Sequence, residues 1–169
     1  MLPWLLAPSR TGAIGFVLAI MASAALAENF LPTGEQCVVN VAADDKLNVR
    51  TLPNADSSVI ARVAPNECGL IITGPCQRYW CPVEKKEATG WVNRRFIANV
   101  SQARYCVSGV APYDKLHMRA SPSLQASVLI ELPSYQCNIA LLPFSTNGWQ
   151  MVRLDEWEGW VRPNNLNSR

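Results

Sequence analysis

The chain has 169 residues, of which 15 are basic and 13 are acidic, so its formal net charge at pH 7 is +2. This near balance disfavours nucleic-acid binding, which depends on neutralising phosphates with many cations. Six cysteines favour disulfides over a metal site, because the single histidine, His117, has no ligand-spaced partner. We therefore expect neither a cofactor nor a metal.

Residues 1–27 have the pattern of a secretory signal peptide. Arg10 precedes an apolar run that begins at Ala13 and ends in the small-residue triplet 25–27, so we expect cleavage after Ala27. The run is short for the ~30 Å hydrocarbon core of a bilayer, so no stable membrane insertion of the mature chain is expected. An even number of cysteines agrees with export to the periplasm or out of the cell, where disulfides persist.

An internal repeat organises the rest of the chain. The segment CVVNVAADDKLNVRTLP from Cys37 returns as CVSGVAPYDKLHMRASP from Cys106, which is an offset of 69 residues. The same offset relates the two Gly-Trp-Val triplets without a gap. The predicted organisation is an N-terminal extension over 28–36, a first module over 37–99, a linker over 100–105 and a second module over 106–169.

Each module alternates apolar and polar residues with a period of two. Leu47 and Val49 alternate with polar neighbours in the first module, as Leu116 and Met118 do in the second. Short segments of this kind, separated by clusters of Pro, Gly, Asn and Ser, predict a small all-β barrel or sandwich. Helix is expected only as turns near residues 93–96 and 162–165.

The repeat also indicates how the cysteines pair. Two of them recur in both modules, whereas two others are absent together from the second, and residues kept or lost together are most simply partners. The expected bridges are Cys37–Cys68, Cys106–Cys137 and Cys76–Cys81. Because Cys68 shares the inward face of its strand with Leu70, we expect the long bridge to lie in the core of each module.

The motifs of both modules resemble the bacterial SH3-like domain, SH3b. The resemblance rests on LNVRTLPNADSSVIARV, CGLIITG, WCPV and GWVNRRFI in the first module, and on LHMRASPSLQASVLIEL, GWQMV and GWVRPNNL in the second. It implies two consecutive SH3-like barrels of five to six strands. It also implies binding of cell-wall peptides, glycans or proteins, without catalysis by the modules themselves.

Members of this family contact ligands through aromatic residues in a groove between loops. The aromatic residues that match by motif position are Trp80, Trp91 and Phe96 in the first module, and Trp149 and Trp160 in the second. Asn165 stands where the first module has Phe96, so the second groove is expected to be altered.

Some recurrent residues allow two interpretations. Trp91 and Trp160 either contact a ligand or cover one end of each barrel. Arg50 and Arg119 either grasp a carboxylate or hydrogen-bond the module's own loop, and the resemblance favours the second role.

The sequence thus predicts a non-catalytic, exported protein that binds cell-wall peptidoglycan through its stem peptide or glycan. The alternative is a module that binds a protein, in the envelope or beyond the cell. A remote alternative is a thiol oxidoreductase that uses Cys76 and Cys81. Other catalysis has little support, because His117 has no counterpart in the first module and no Cys/His or Ser/His/Asp set can be assembled.

Overall fold

The computed structural model describes residues 34–168. The signal peptide expected over 1–27 and most of the extension over 28–36 lie outside these residues. No helix within 34–168 is long and apolar enough to cross a membrane.

The first module contains seven strands, which are β1 (Glu35–Val38), β2 (Leu47–Arg50), β3 (Val59–Val63), β4 (Cys68–Ile72), β5 (Trp80–Lys85), β6 (Ala88–Asn93) and β7 (Ile97–Asn99). The second contains β8 (Arg104–Val107), β9 (Lys115–Arg119), β10 (Val128–Pro133), β11 (Ile139–Thr146), β12 (Trp149–Leu154), β13 (Trp157–Val161) and β14 (Leu166–Ser168). Single 3₁₀ turns at Arg94–Phe96 and Pro163–Asn165 precede the last strand of each module, as the sequence predicted.

Both modules have the same topology. The strand order is β3-β2-β6-β5-β4-β1-β7 in the first sheet and β10-β9-β13-β12-β11-β8-β14 in the second. Each module encloses its own apolar cluster, and Leu47, Val49, Leu116 and Met118 lie in these clusters as their alternation predicted. The prediction of two consecutive all-β, SH3-like barrels is confirmed.

The glycine of each Gly-Trp-Val triplet lies where two strands come very close. A Cβ atom on Gly90 would stand 2.6 Å from the carbonyl oxygen of Arg50 and 2.8 Å from Cγ1 of Val49. A Cβ atom on Gly159 would stand 2.6 Å from Cγ of Met118. Neither position has room for a side chain, so this glycine is needed to close the barrel.

Cysteine pairing follows the prediction. Cys37–Cys68, Cys106–Cys137 and Cys76–Cys81 are all bonded. The location of the long bridges differs from the expectation, because they lie outside the apolar clusters that fill the barrels. Cys37 is fully buried, but in a separate cluster between the modules, and Cys106 and Cys137 are only half-buried.

The two modules pack against each other across a seam. On the first module it contains the Cys37–Cys68 bridge and Val100, and on the second it contains Ala140, Leu142, Phe144 and Met151. The backbone N–H of Ser101 donates to the carbonyl oxygen of Leu141 at 2.9 Å. Strand β8 already begins at Arg104, so the segment expected as a linker is part of the folded structure.

An ion pair crosses this seam at its edge. Nη1 of Arg153 lies 2.7 Å from Oε2 of Glu35, and the guanidinium also binds Glu158 on its own module. The hydrogen bond to Glu35 raises the pKa of Arg153 above its ordinary value, even though partial burial opposes the charged form. The seam therefore combines apolar burial with a charge pair at its rim.

We predict that Gly90→Ala destabilises the protein by about 1–3 kcal/mol, because the new methyl group overpacks the crossing of β6 and β2. The measurement is urea denaturation followed by circular dichroism. Gly74→Ala is the control, since a Cβ at Gly74 meets only Cγ of Pro82, at an ordinary 3.6 Å. Equal stability of the two variants would contradict the close crossing.

Candidate functional site: an aromatic cleft in the first module

A cleft of about 520 Å³ opens in the first module between the β1–β2 loop and the turn that follows β6. This volume is within the range of small-molecule sites. Its lining includes two aromatic rings, Trp80 and Phe96; three amides, Asn40, Asn48 and Asn93; and three charged side chains, Asp45, Lys46 and Arg50. Apolar faces beside a few polar groups are the usual composition of a binding site.

Trp80 is held at the cleft by a tight turn. The backbone N–H of Gln77 donates to the Trp80 carbonyl at 2.7 Å, and the Trp80 N–H returns a bond to Gln77 at 3.0 Å. The Cys76–Cys81 bridge joins the segment before this turn to strand β5. Because the backbone on both sides of Trp80 is fixed, its ring loses little further freedom when a ligand stacks on it.

Phe96 lies in the 3₁₀ turn that follows β6, and backbone hydrogen bonds hold this turn in place. Its carbonyl oxygen accepts from the backbone N–H of Val39 at 2.9 Å. Asn40 Nδ2 donates to the carbonyl of Arg95 at 3.1 Å, and Asn93 caps the 3₁₀ turn by accepting from the Arg95 N–H at 3.1 Å. Asn40 thus ties the β1–β2 loop to the 3₁₀ turn, and Asn93 holds the turn itself.

The recurrent arginine, Arg50 or Arg119, hydrogen-bonds a loop of its own module. Nη1 of Arg50 donates to the carbonyl oxygen of Ser57 at 2.6 Å, and Nη1 of Arg119 donates to that of Ala126 at 2.8 Å in the second module. This matches the loop-holding role that the resemblance favours.

Other cations lie around the aromatic wall. Lys46 lines the cleft and forms no ion pair within residues 34–168. The guanidinium of Arg95 lies 5.0 Å from the Phe96 ring centroid, and that of Arg94 lies 5.4 Å from the ring of Tyr79. The site can therefore receive an apolar or sugar face together with a negative charge.

The first module matches a known family over most of its length. Residues 43–98 match the family model described as bacterial SH3 domain. The first module is a bacterial SH3 domain. The second module repeats its topology and its motif positions at an offset of 69 residues.

Among solved structures, the chain is similar to NlpC2 and NlpC1 from Trichomonas vaginalis. It is 10% identical to NlpC2 with a TM-score of 0.38, and the match covers 83% of this chain and 49% of that one. It is 12% identical to NlpC1 with a TM-score of 0.38, with 90% and 51% covered. The chain thus spans about half the length of these proteins. No curated protein matches it.

The corresponding site of the second SH3b module is closed. Trp149, the counterpart of Trp80, is only 4% exposed, and the guanidinium of Arg162 covers it at 4.4 Å from the ring centroid. The first module has the shorter Asn93 at this position. Asn165, in place of Phe96, bonds the Ser108 carbonyl at 3.4 Å. Trp149 therefore presents no open ring face.

The structure does not bring the other two tryptophans into the cleft. Trp160 lines a separate opening at the seam between the modules, together with Asn40 and Phe144. Trp91 pairs with Arg50 and Pro82 in the sheet and does not line the cleft that contains Trp80. Of the five aromatic candidates, Trp80 and Phe96 share one site.

The sequence analysis did not identify the amides and the lysine that line the cleft of the first module. Asn40 and Lys46 lie in the β1–β2 loop and Asn93 is the last residue of β6, where alternation carries little information about direction. One signal was present in the repeat, since Asn93 becomes Arg162, and that difference separates an open site from a closed one.

We predict that Arg162→Asn uncovers Trp149, because the guanidinium that screens its ring is removed. Hydroxyl-radical footprinting should then show Trp149 reacting at a rate closer to that of half-buried Trp80. Arg62→Asn removes an exposed arginine of the first module and should leave Trp149 unchanged. An unaltered Trp149 in the Arg162→Asn protein would show that something other than Arg162 buries it.

The turn beside Trp80 generates a second prediction. Arg78 adopts a left-handed φ of 56°, whereas the second module places Asn147 and Gly148 in its turn, with φ of 48° and 73°. Side chains other than Asn and Gly disfavour this region, so the Cys76–Cys81 bridge offsets an unfavourable turn.

Replacing Cys76 and Cys81 by Ala should lower the free energy of unfolding by about 2 kcal/mol. Changing Arg78 to Asn, which tolerates the left-handed conformation, in that background should recover about 1 kcal/mol. The same turn change should gain less when the bridge is present, because the bridge already enforces the turn. Denaturant unfolding of the four proteins measures this coupling, and an equal gain in both backgrounds would refute it.

Proposed function

We propose that this chain is a non-catalytic, exported binding protein whose first module recognises cell-wall peptidoglycan. The observation that carries the proposal is the open cleft whose lining contains both Trp80 and Phe96, together with Lys46. A pyranose ring or a peptide side chain can stack on the aromatic faces, and stem-peptide carboxylates suit the cation. The family match of residues 43–98 supports the ligand class.

Export is supported by the covalent structure. All six cysteines are paired, and such bridges persist in oxidising compartments. The leader pattern of residues 1–27 is consistent with this route.

The side chains of the described residues support binding rather than catalysis. His117 contacts Arg119 at 3.3 Å and Glu131 at 3.7 Å, with no nucleophile among these partners. Cys81 is fully buried in its bridge, whereas an exchanging thiol needs access to its partner.

A protein ligand is the second candidate. Tyr79, at the turn beside Trp80, is 63% exposed and lies under the guanidinium of Arg94. Tyr and Arg are enriched at protein interfaces, so the same wall could receive a peptide segment of a partner protein.

We predict that the protein co-sediments with purified peptidoglycan and that Trp80→Ala or Phe96→Ala weakens binding about tenfold. Trp157→Ala is the matched control, because this ring is 41% exposed and lies outside the cleft. Soluble muropeptides and glycan strands, added separately as competitors, distinguish stem-peptide from glycan recognition.

If the wild-type protein stays in the supernatant, peptidoglycan is not its ligand. If Trp157→Ala loses as much binding as Trp80→Ala, the cleft is not the site. Recovery of one protein at stoichiometric yield from an envelope extract, lost with Trp80→Ala, would support the second candidate instead.

A further inference from the structure

The seam between the modules joins two different surfaces. The first module contributes its disulfide face, defined by Glu35, Cys37 and Cys68. The second contributes the outer face of β11 and β12, defined by Ala140, Leu142, Phe144, Met151 and Arg153, which we call the β11–β12 face. The contact is therefore heterologous, and each module retains one unused copy of a surface that the other module uses. Heterologous contacts can be repeated from molecule to molecule.

The unused surface of the second module is its own disulfide face. It contains Arg104, at the position of Glu35, and the half-buried Cys106–Cys137 bridge. A cleft of about 340 Å³ lies against this bridge and is lined by Ser108, Gly109 and Tyr135, among others. In the first module the counterparts of these three residues are Val39, Asn40 and Asn66, all of which line the seam.

The unused surface of the first module is its β4–β5 face, defined by Ile71, Thr73, Pro75, Pro82 and Glu84. These residues correspond to Ala140, Leu142, Phe144, Met151 and Arg153, so one apolar seam residue, Leu142, is replaced by a threonine. Ile71 is 46% exposed and Pro75 is exposed, whereas Ala140 is buried in the seam. Trp91 matches Trp160 of the seam, so an aromatic ring is retained at this position too.

The charges on the two unused surfaces are reversed together. The internal seam pairs Glu35 with Arg153 at 2.7 Å. At the same positions the unused surfaces carry Arg104 and Glu84, so both signs change and attraction between the surfaces is retained. Both residues are exposed, and neither forms an ion pair within residues 34–168.

This reversal also discourages the wrong contacts. The β4–β5 face of a second molecule would bring Glu84 against Glu35 if it competed for the internal seam. The β11–β12 face would bring Arg153 against Arg104 if it docked on the second module. Like charges brought together in this way select against the mismatched contacts.

We propose that the chain self-associates head to tail, with the β4–β5 face of one molecule docked on the second-module disulfide face of the next. Glu84 of one copy then pairs with Arg104 of its neighbour, as Arg153 pairs with Glu35 within each chain. The association orders the aromatic clefts of successive molecules along an assembly, which raises avidity for a polymeric ligand.

The test uses the disulfide-bonded chain purified after export, studied by sedimentation velocity over a range of concentrations at low and high salt. Wild-type protein should form species larger than a monomer as its concentration rises, less so at high salt. Glu84→Arg and Arg104→Glu should each weaken association about tenfold or more. Glu87→Arg, the same charge change at the exposed β5–β6 turn, is the control and should associate like the wild type.

Mixing the two single variants provides the decisive measurement. In the mixture the arginine introduced by Glu84→Arg meets the glutamate introduced by Arg104→Glu, while the unchanged Glu84 and Arg104 still pair in the alternate contact. Association should therefore return in the mixture, although each variant associates only weakly by itself. A monomeric wild type at all concentrations, or single variants that associate normally, would overturn the proposal.

Discussion

In each module the strand of the Gly-Trp-Val triplet crosses the second strand with no side chain between them. This close approach, at Gly90 and again at Gly159, brings the two strands into one continuous sheet. It turns Val92 into the core and leaves Trp91 on the other side of β6. The chain then reaches Asn93 and the 3₁₀ turn at a set position, and that turn supplies one wall of the cleft.

The two modules show how few changes are needed to alter one scaffold. An asparagine in the first module becomes Arg162 in the second, and Trp149 is covered. Phe96 of the first module becomes Asn165, which donates a hydrogen bond to a backbone carbonyl instead of lining a cleft. The backbone hardly needs to differ, because these side chains extend from the same turn in the same topology. The first module keeps an open site, and the second module contributes the face that packs against the first.

Much of the fold could be predicted from the sequence because its determinants are periodic or repeated. Alternation indicated the strands, and the 69-residue repeat indicated both the modules and the disulfide pairs. Position within the fold was harder to predict. Cys68 has the alternation of an inward residue, yet its bridge packs in the cluster between the modules. The pairing of β1 with β4 contains a bulge at Gly69, whose φ is 91°, so the alternation is interrupted between Cys68 and Leu70 and only Leu70 packs in the barrel core.

The second module covers part of the Cys37–Cys68 bridge, whereas nothing in residues 34–168 covers the Cys106–Cys137 bridge in the same way. Cys37 is fully buried beneath the second module, while Cys106 and Cys137 are half-buried at a surface cleft. In the native molecule a reductant can approach both sulfurs of the second bridge, but in the first bridge only the sulfur of half-buried Cys68 while the seam is closed. Reduction of the first bridge should therefore be the slower of the two, and opening of the seam should accelerate it. Two chemically identical bonds thus differ in reactivity because of what packs against them.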